Sequence, residues 1–281
     1  MKKVIIAFFA LTLSLGLQAQ TIKMPASSPT ATVKQAFGLS EISVEYNRPS
    51  AKGRVVFGDV VPFDVLWRTG ANAATKITFG EDVKIDGKLV PAGSYSLFSI
   101  PSKGEWTIIL NKNPKLSGTS GYTEAEDLMR FKVKPQIKAD KVETFTIGFN
   151  NLTAKTATLE LSWENTLVAI EIAVEFDEKV MKNIESVMAK DGRPFHQAAS
   201  YYYENKKDMK QALEWATKAF ELNPTYYWTA LLKARIQLEL KDYKGAIETA
   251  KQANKLAAAD EDMAYVKMSE EVIATAMKAG K

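Results

Sequence analysis

Between Arg48 and Lys76 the chain reads RPSAKGRVVFGDVVPFDVLWRTGANAATK, setting Arg48, Lys52, Arg54, Arg68 and Lys76 against Asp59 and Asp64. Guanidinium groups gathered in this way can hold a carboxylate, a sulfate or a sugar acid through paired N–H donors. Trp67 adds a flat apolar face against which such a ligand could stack. Arg48, Arg54, Trp67, Arg68 and Asn72 are therefore the candidate ligand-binding residues of this segment. The same letters admit a second reading. Strand alternation along VLWRT puts Val65, Trp67 and Thr69 on one face and Leu66 and Arg68 on the other. Trp67 then belongs to a core, Gly70 is free to take positive φ, and Asn72 is a turn former. Arg68 in that case pairs with a neighbouring acid or with loop carbonyls.

Other chemistry is thinly represented, and no catalytic residue can be assigned. The chain has one histidine, His196, and no cysteine. A Ser-His-Asp triad or a multi-histidine metal site therefore cannot be built within the segment before it, and thiolate nucleophiles, thiolate metal sites and disulfides are excluded outright. No acidic loop has calcium-binding spacing, so no metal is expected. GTSG and TGAN lack the strand-glycines-helix setting of a phosphate loop, and no cofactor is expected. A pair of carboxylates drawn from Glu45, Asp59, Asp64, Glu81 and Asp82 would be needed for the alternative function, a carbohydrate-acting envelope enzyme.

Two kinds of element must position these residues. From about Val33 to Phe176 apolar residues recur at every second position, as in EISVEYN (Ile42, Val44, Tyr46), TFTIGFN (Phe145, Ile147, Phe149), TLELSWE (Leu159, Leu161, Trp163) and VAIEIAVEF (Val168, Ile170, Ile172, Val174, Phe176). Alternation of this regularity predicts antiparallel sheets with one buried face. Asp86-Gly87 marks a two-residue hairpin, and PAG, PSKGE, Asn150-Asn151 and Glu164 to Thr166 mark further reversals. The region from 33 to 176 is expected to be a β-sandwich, with a barrel as the alternative. GYTEAEDLM reads equally as a short helix or a loop.

After Phe176 the period becomes helical. Val180, Ile184, Val187 and Met188 share one face, and Asp191-Gly192 with Pro194 ends that helix. KDMKQALEWATKAFEL from Lys207 and KDYKGAIETAKQANKL from Lys241 then repeat with a 34-residue offset, matching Asp208 to Asp242, Ala212 to Ala246 and Ala219 to Ala253. That is the tetratricopeptide period, and residues 177–281 are expected to form an α-helical tetratricopeptide-like repeat domain capped by a helix from Met263 to Met277. The whole is an α+β chain of two domains. Tyr201, Glu204, Trp228, Leu231 and Arg235 are the candidates for the concave face of the repeats. This face could take a peptide or dock on the β-domain.

The N-terminus, MKKVIIAFFALTLSLGLQA, has a basic start, an apolar stretch shorter than the ~20 residues of a membrane span, and a small-residue cleavage site. Residues 1–19 are read as a signal peptide cleaved near Ala19, followed by an extended segment over 20–32. The expected location is the periplasm or the exterior, with no membrane span in the mature chain. Removing Lys2 and Lys3 lowers the formal charge from +4 to +2, which offers no electrostatic case for nucleic acid. An envelope protein or a glycan is the expected partner of what reads as a non-catalytic binding module.

Three stretches carry a resemblance to a known family: SPTATVKQAFGLSEISVEYNRPSAKGRVVFG, VPFDVLWRTGANAATKITF and LVPAGSYSLFSIPSKGEWTIILNK. Over about Ser28 to Ile172 the chain resembles the exported bacterial family catalogued as domain of unknown function 2911, for which a fused tetratricopeptide tail is a known arrangement. The resemblance implies export and a β-rich domain, and it brings no activity, substrate or catalytic residue. Its pattern includes Arg48, Gly53, Arg54, Trp67, Arg68, Gly70 and Asn72. It also leads one to expect an aromatic-glycine pair after the NK loop, where this chain has NKNPKLSGTSGY.

Overall fold

The structure, a computed structural model, describes residues 24–190 and 193–281. The segment read as a signal peptide, and Asp191-Gly192 at the expected end of the first helix, lie outside the described residues. The chain divides between Glu175 and Phe176 into two compact units.

The first unit is a sandwich of two antiparallel sheets. Strands β1 (Thr30–Phe37), β2 (Ser40–Asn47), β3 (Thr75–Phe79), β6 (Gly93–Ile100), β7 (Trp106–Asn111) and β8 (Asp127–Val133) lie side by side in that order. The second sheet has the order β5 (Lys88–Val90), β4 (Val83–Ile85), β10 (Thr156–Ala173) and β9 (Gln136–Asn150). The six-stranded sheet ends at β1 and β8 and the four-stranded one at β5, none of which joins a strand of the other sheet, so the barrel alternative does not apply. The alternating residues fill the space between the sheets as expected: Ile42, Val44, Tyr46, Phe145, Ile147, Leu159, Leu161, Trp163, Val168, Ile170 and Ile172 are all buried. Asp86 and Gly87 both take positive φ, 51° and 70°, as a type I′ hairpin turn between β4 and β5 requires. The first strand begins at Thr30, ahead of Val33, because its residues are too exposed for the apolar alternation to announce it.

Three expectations need correction. Glu164 to Thr166 is not a reversal: β10 runs straight through it, with register shifts between Ser162 and Glu164 and between Glu164 and Thr166. Glu164 at φ 50° forms a bulge, so the inward set moves from odd positions (Leu159, Leu161, Trp163) to even ones (Val168, Ile170, Ile172). A turn and a bulge produce the same change of parity in sequence. The six-stranded sheet, moreover, is covered on both faces over part of its area. Phe98 and Ile109 point away from the sandwich and pack with Ala74 and Leu116, joined by Leu66, Ile100 and Tyr122. Lastly, GYTEAEDLM is neither one helix nor one loop; a 3-10 turn at Glu124–Glu126 leads directly into β8.

The second unit has six helices, α1 (Asp177–Met188), α2 (Phe195–Glu204), α3 (Met209–Leu222), α4 (Tyr227–Glu239), α5 (Tyr243–Ala259) and α6 (Met263–Ala279). The repeat-matched aspartates are its N-caps. Asp208 accepts from the backbone N–H groups of Lys210 and Gln211, and Asp242 from that of Gly245. Asp262 caps α6 in the same way, through Tyr265 N–H. The matched alanines Ala212, Ala219, Ala246 and Ala253 are all buried, and with them Ala216 packs beside Ala212 against α2 and α4, and Ala250 beside Ala253 against α4 and α6. Small side chains there let the helix backbones come close. No helix among the described residues is long and apolar enough to cross a membrane.

Candidate functional site

Residues 48–74 leave the end of β2 and return as β3, tying the two sheets together on the way. Ala51 N–H donates to Glu143 O, Phe145 N–H to Pro49 O, and Ser50 bridges to Thr144 on β9. Two acids of the second sheet hold the loop from below: Glu143 Oε1 accepts from Lys52 N–H at 2.7 Å, and Glu164 Oε2 from Val56 N–H at 2.9 Å. The bulge that hides in the sequence thus aims Glu164 at this loop. The chain then runs beside β6 through a single bridge, Trp67 to Ser99.

That bridge, rather than a full strand, changes the expected facing. Trp67 and Thr69 are buried, but Val65 is 52% exposed, so the three do not share one face. Trp67 enters an aromatic cluster with Phe145 at 5.2 Å, Phe57 at 5.9 Å, Trp163 at 6.1 Å and Trp106 at 6.3 Å between ring centroids. Its indole N–H donates to Gly70 O at 2.9 Å. Gly70 sits at φ 154°, and a Cβ there would lie 3.0 Å from Asn47 O. Asn72, at φ 57°, turns the chain, and its side-chain amide donates to Asn47 Oδ1 at 3.3 Å.

The three arginines are not gathered around one point. Arg48 donates from Nε to Phe145 O and from Nη2 to Thr146 Oγ1, which fastens the end of β2 to β9. Arg54 folds back on its own loop, from Nε to Ala51 O and from Nη2 to Ser50 O. Arg68 donates from Nη1 to Asn72 O at 3.0 Å and, among the described residues, has no acidic partner. It lines a pocket of about 240 Å³ with Pro49, Val60, Val61, Trp67, Gly70, Ala71, Asn72 and Trp163. Of the five candidates, then, Trp67, Arg68 and Asn72 come together, while Arg48 and Arg54 lie elsewhere and secure backbone. Trp163 had no sequence signal as a lining residue, because it arrives from the opposite sheet.

The acids considered for a carbohydrate-acting enzyme have separate duties. Glu45 pairs with Lys76 at 3.4 Å, Glu81 accepts from Leu39 N–H at 2.7 Å, and Asp82 accepts from Ala92 N–H at 2.8 Å. Asp59 and Asp64 are exposed on the 48–74 loop. Among the described residues, no group of three or more His, Cys, Asp and Glu side chains is placed to hold a metal ion.

The loop after β7 is fixed by a network that the sequence did not announce. Buried Asn111 donates to Asp127 Oδ1 at 2.9 Å and to Thr123 O. Tyr122 O–H donates to Asp127 Oδ2, which also accepts from Arg130 Nε at 2.6 Å. Burial, followed by the bond to Asp127, raises the Tyr122 pKa to about 12. This loop reaches Arg68: a Cβ on Gly118 would lie 2.8 Å from Arg68 Nη1, and Gly118 has φ 68°.

In the helical unit, four of the five candidates meet. Glu204, Trp228, Leu231 and Arg235 line one pocket of about 270 Å³ with His196, Ser200, Tyr203, Leu232 and Tyr265. Among them Leu231 is buried and Trp228 and Tyr265 are partly buried. Tyr201 is the exception. One residue turns a helix by about 100°, which carries Tyr201 off the face of His196, Ser200 and Tyr203; its O–H donates to Asp177 Oδ1, and burial, followed by that bond, raises its pKa. Helical spacing was the signal for the lining residues not named from sequence, since 196, 200, 203 and 204 on α2 parallel 228, 231, 232 and 235 on α4. His196 stands half-buried at this pocket and at a second one of about 340 Å³ that includes Phe195, Leu222 and Tyr226. Burial lowers its pKa, and its Nδ1 lies 3.4 Å from Thr229 Oγ1.

A sandwich stitched by one long loop, followed by capped helix pairs with a concave pocket, defines the class: an α+β chain ending in a tetratricopeptide-type scaffold. The chain belongs to the family described as protein of unknown function (DUF2911), which matches residues 28–172. Residues 194–226, spanning α2 and α3, match a tetratricopeptide repeat. No curated protein and no solved structure matches the chain.

Proposed function

We propose that this chain is an exported, non-catalytic binding protein of the cell envelope whose helical unit holds a segment of another envelope protein. The carrying observation is the pocket formed by α2, α4 and α6. Glu204 and Arg235 both line it, and neither has an ion-pair partner among the described residues. Two opposite charges left unpaired beside Trp228, Leu231 and Tyr265 suit a peptide that presents an apolar side chain flanked by charges of both signs. The repeat match supports protein interaction as the role of this unit. Export is supported by the N-terminal pattern of Lys2-Lys3, apolar stretch and LQA.

The test is site-specific photo-crosslinking in exporting cells, with the crosslinker placed at Ser200 in the pocket or at Lys218 on α3, which does not line it. A single protein joined from Ser200 and not from Lys218, and then bound directly by the purified chain, supports the reading. Equal labelling from the two positions, or no protein product from Ser200, overturns it.

A further inference from the structure

We infer that the pocket beside Arg68 in the β-unit is a binding site for a small organic carboxylate with an apolar body of about one ring. This inference is independent of the groove in the helical unit. It follows from which edge of each guanidinium is in use. A carboxylate is held best by two parallel N–H donors, and the side-on pair is Nε with Nη2. Arg48 and Arg54 each spend both of these donors, on Phe145 O and Thr146 Oγ1, and on Ala51 O and Ser50 O. Arg68 spends Nη1 on Asn72 O and leaves Nε and Nη2 without a partner among the described residues.

The unused edge is held in place rather than left to wander. Asn72 O fixes one end of the guanidinium, and the backbone at Gly118 lies against it so closely that a Cβ would come within 2.8 Å of Nη1. A guanidinium anchored in advance loses less freedom when it takes a ligand. Apart from Asn72, whose side-chain amide donates to Asn47 Oδ1, the rest of the lining is apolar or backbone: Pro49, Val60, Val61, Ala71, Gly70 and the two indoles of Trp67 and Trp163. Size narrows the class further. The pocket encloses about 240 Å³, whereas a dry cavity of ~150 Å³ takes benzene. A ring bearing one carboxylate fits that volume.

The experiment titrates benzoate into the full mature chain and follows the indole N–H resonances of Trp67 and Trp163 by ¹⁵N NMR, with benzamide as the neutral probe of the same shape. Saturable shifts at these two indoles, at least tenfold weaker for benzamide and at least tenfold weaker in Arg68→Gln, are the expected result. Arg68→Lys should recover part of the loss, because it keeps the charge without the fork. Equal binding of benzoate and benzamide, or unchanged benzoate binding in Arg68→Gln, overturns the inference, as does the absence of saturable shifts. If Arg68→Gln does not fold, the comparison of the two probes on the natural chain decides alone.

Discussion

Replacing Trp67 with alanine separates a core residue from a ligand-stacking one. The side chain is 8% exposed and contacts four aromatic rings, and its N–H satisfies the Gly70 carbonyl. Buried Trp or Phe to Ala changes cost about 3–5 kcal/mol, and here the lost ring contacts, three edge-on and one stacked at ~0.5–1.5 kcal/mol each, and the lost hydrogen bond place the cost in the middle of that range or above it. A loss of about 4 kcal/mol in a unit of this size lowers its melting temperature by roughly 8–16 °C. The two units need not melt together. Near-UV circular dichroism reports the rings of both units, Trp67, Trp106 and Trp163 in the β-unit and Trp215 and Trp228 in the helical one, whereas the far-UV helical signal follows the repeats alone. The near-UV transition that does not coincide with the helical one therefore belongs to the β-unit. The near-UV transition should fall while the helical one stays in place, with Trp67→Phe intermediate because it keeps a ring but loses the bond to Gly70. A near-UV transition that moved by less than about 2 °C in Trp67→Ala would refute the reasoning.

Three more outcomes follow from particular bonds. Asp208→Ala and Asp242→Ala each remove an N-cap and should each destabilise the helical unit by about 1 kcal/mol, read in urea melts; a neutral result for either would break the equivalence of the two repeats. Tyr122 has a pKa raised to about 12 against 10.0 unfolded, so its stabilising effect is complete below pH 10 and is lost as pH rises toward 12. Tyr122→Phe should flatten that alkaline loss, and an unchanged pH profile would show that Tyr122 is not its source. Glu164→Ala leaves Val56 N–H without its acceptor and should speed hydrogen exchange at that amide by tenfold or more, against no change at Ile172 farther along β10.

How much was legible in the sequence depended on whether a residue's partners were local. Period-2 alternation located the buried positions of β2, β9 and β10, because one face of each strand meets the opposite sheet. The repeat offset located the caps Asp208 and Asp242, whose bonds reach two or three residues along the chain. The bulge at Glu164 was read as a turn, since both shift the inward set by one position. The cationic segment was harder still. Arg48, Arg54 and Arg68 look alike in sequence, and their fates are decided by the carbonyls that folding brings near, Phe145 for one and Ser50, Ala51 and Asn72 for the others. Four of the five groove candidates share a pocket because helical spacing is a local rule; Tyr201 left it for Asp177, a partner on another helix.

The central claim is that the pocket of α2, α4 and α6 is where this chain binds a protein. Its most direct measurement is a calorimetric titration of the protein crosslinked from Ser200 into the full chain, into Arg235→Glu and into Lys218→Glu, where Lys218 pairs with Glu214 and does not line the pocket. Reversing a charge inside a partly desolvated contact should cost about 2 kcal/mol or more, some thirtyfold in affinity, while a rim or outer-face reversal should cost little. Loss in Arg235→Glu with retention in Lys218→Glu is the expected result. Equal affinity of the Arg235→Glu variant and the natural chain would contradict the account.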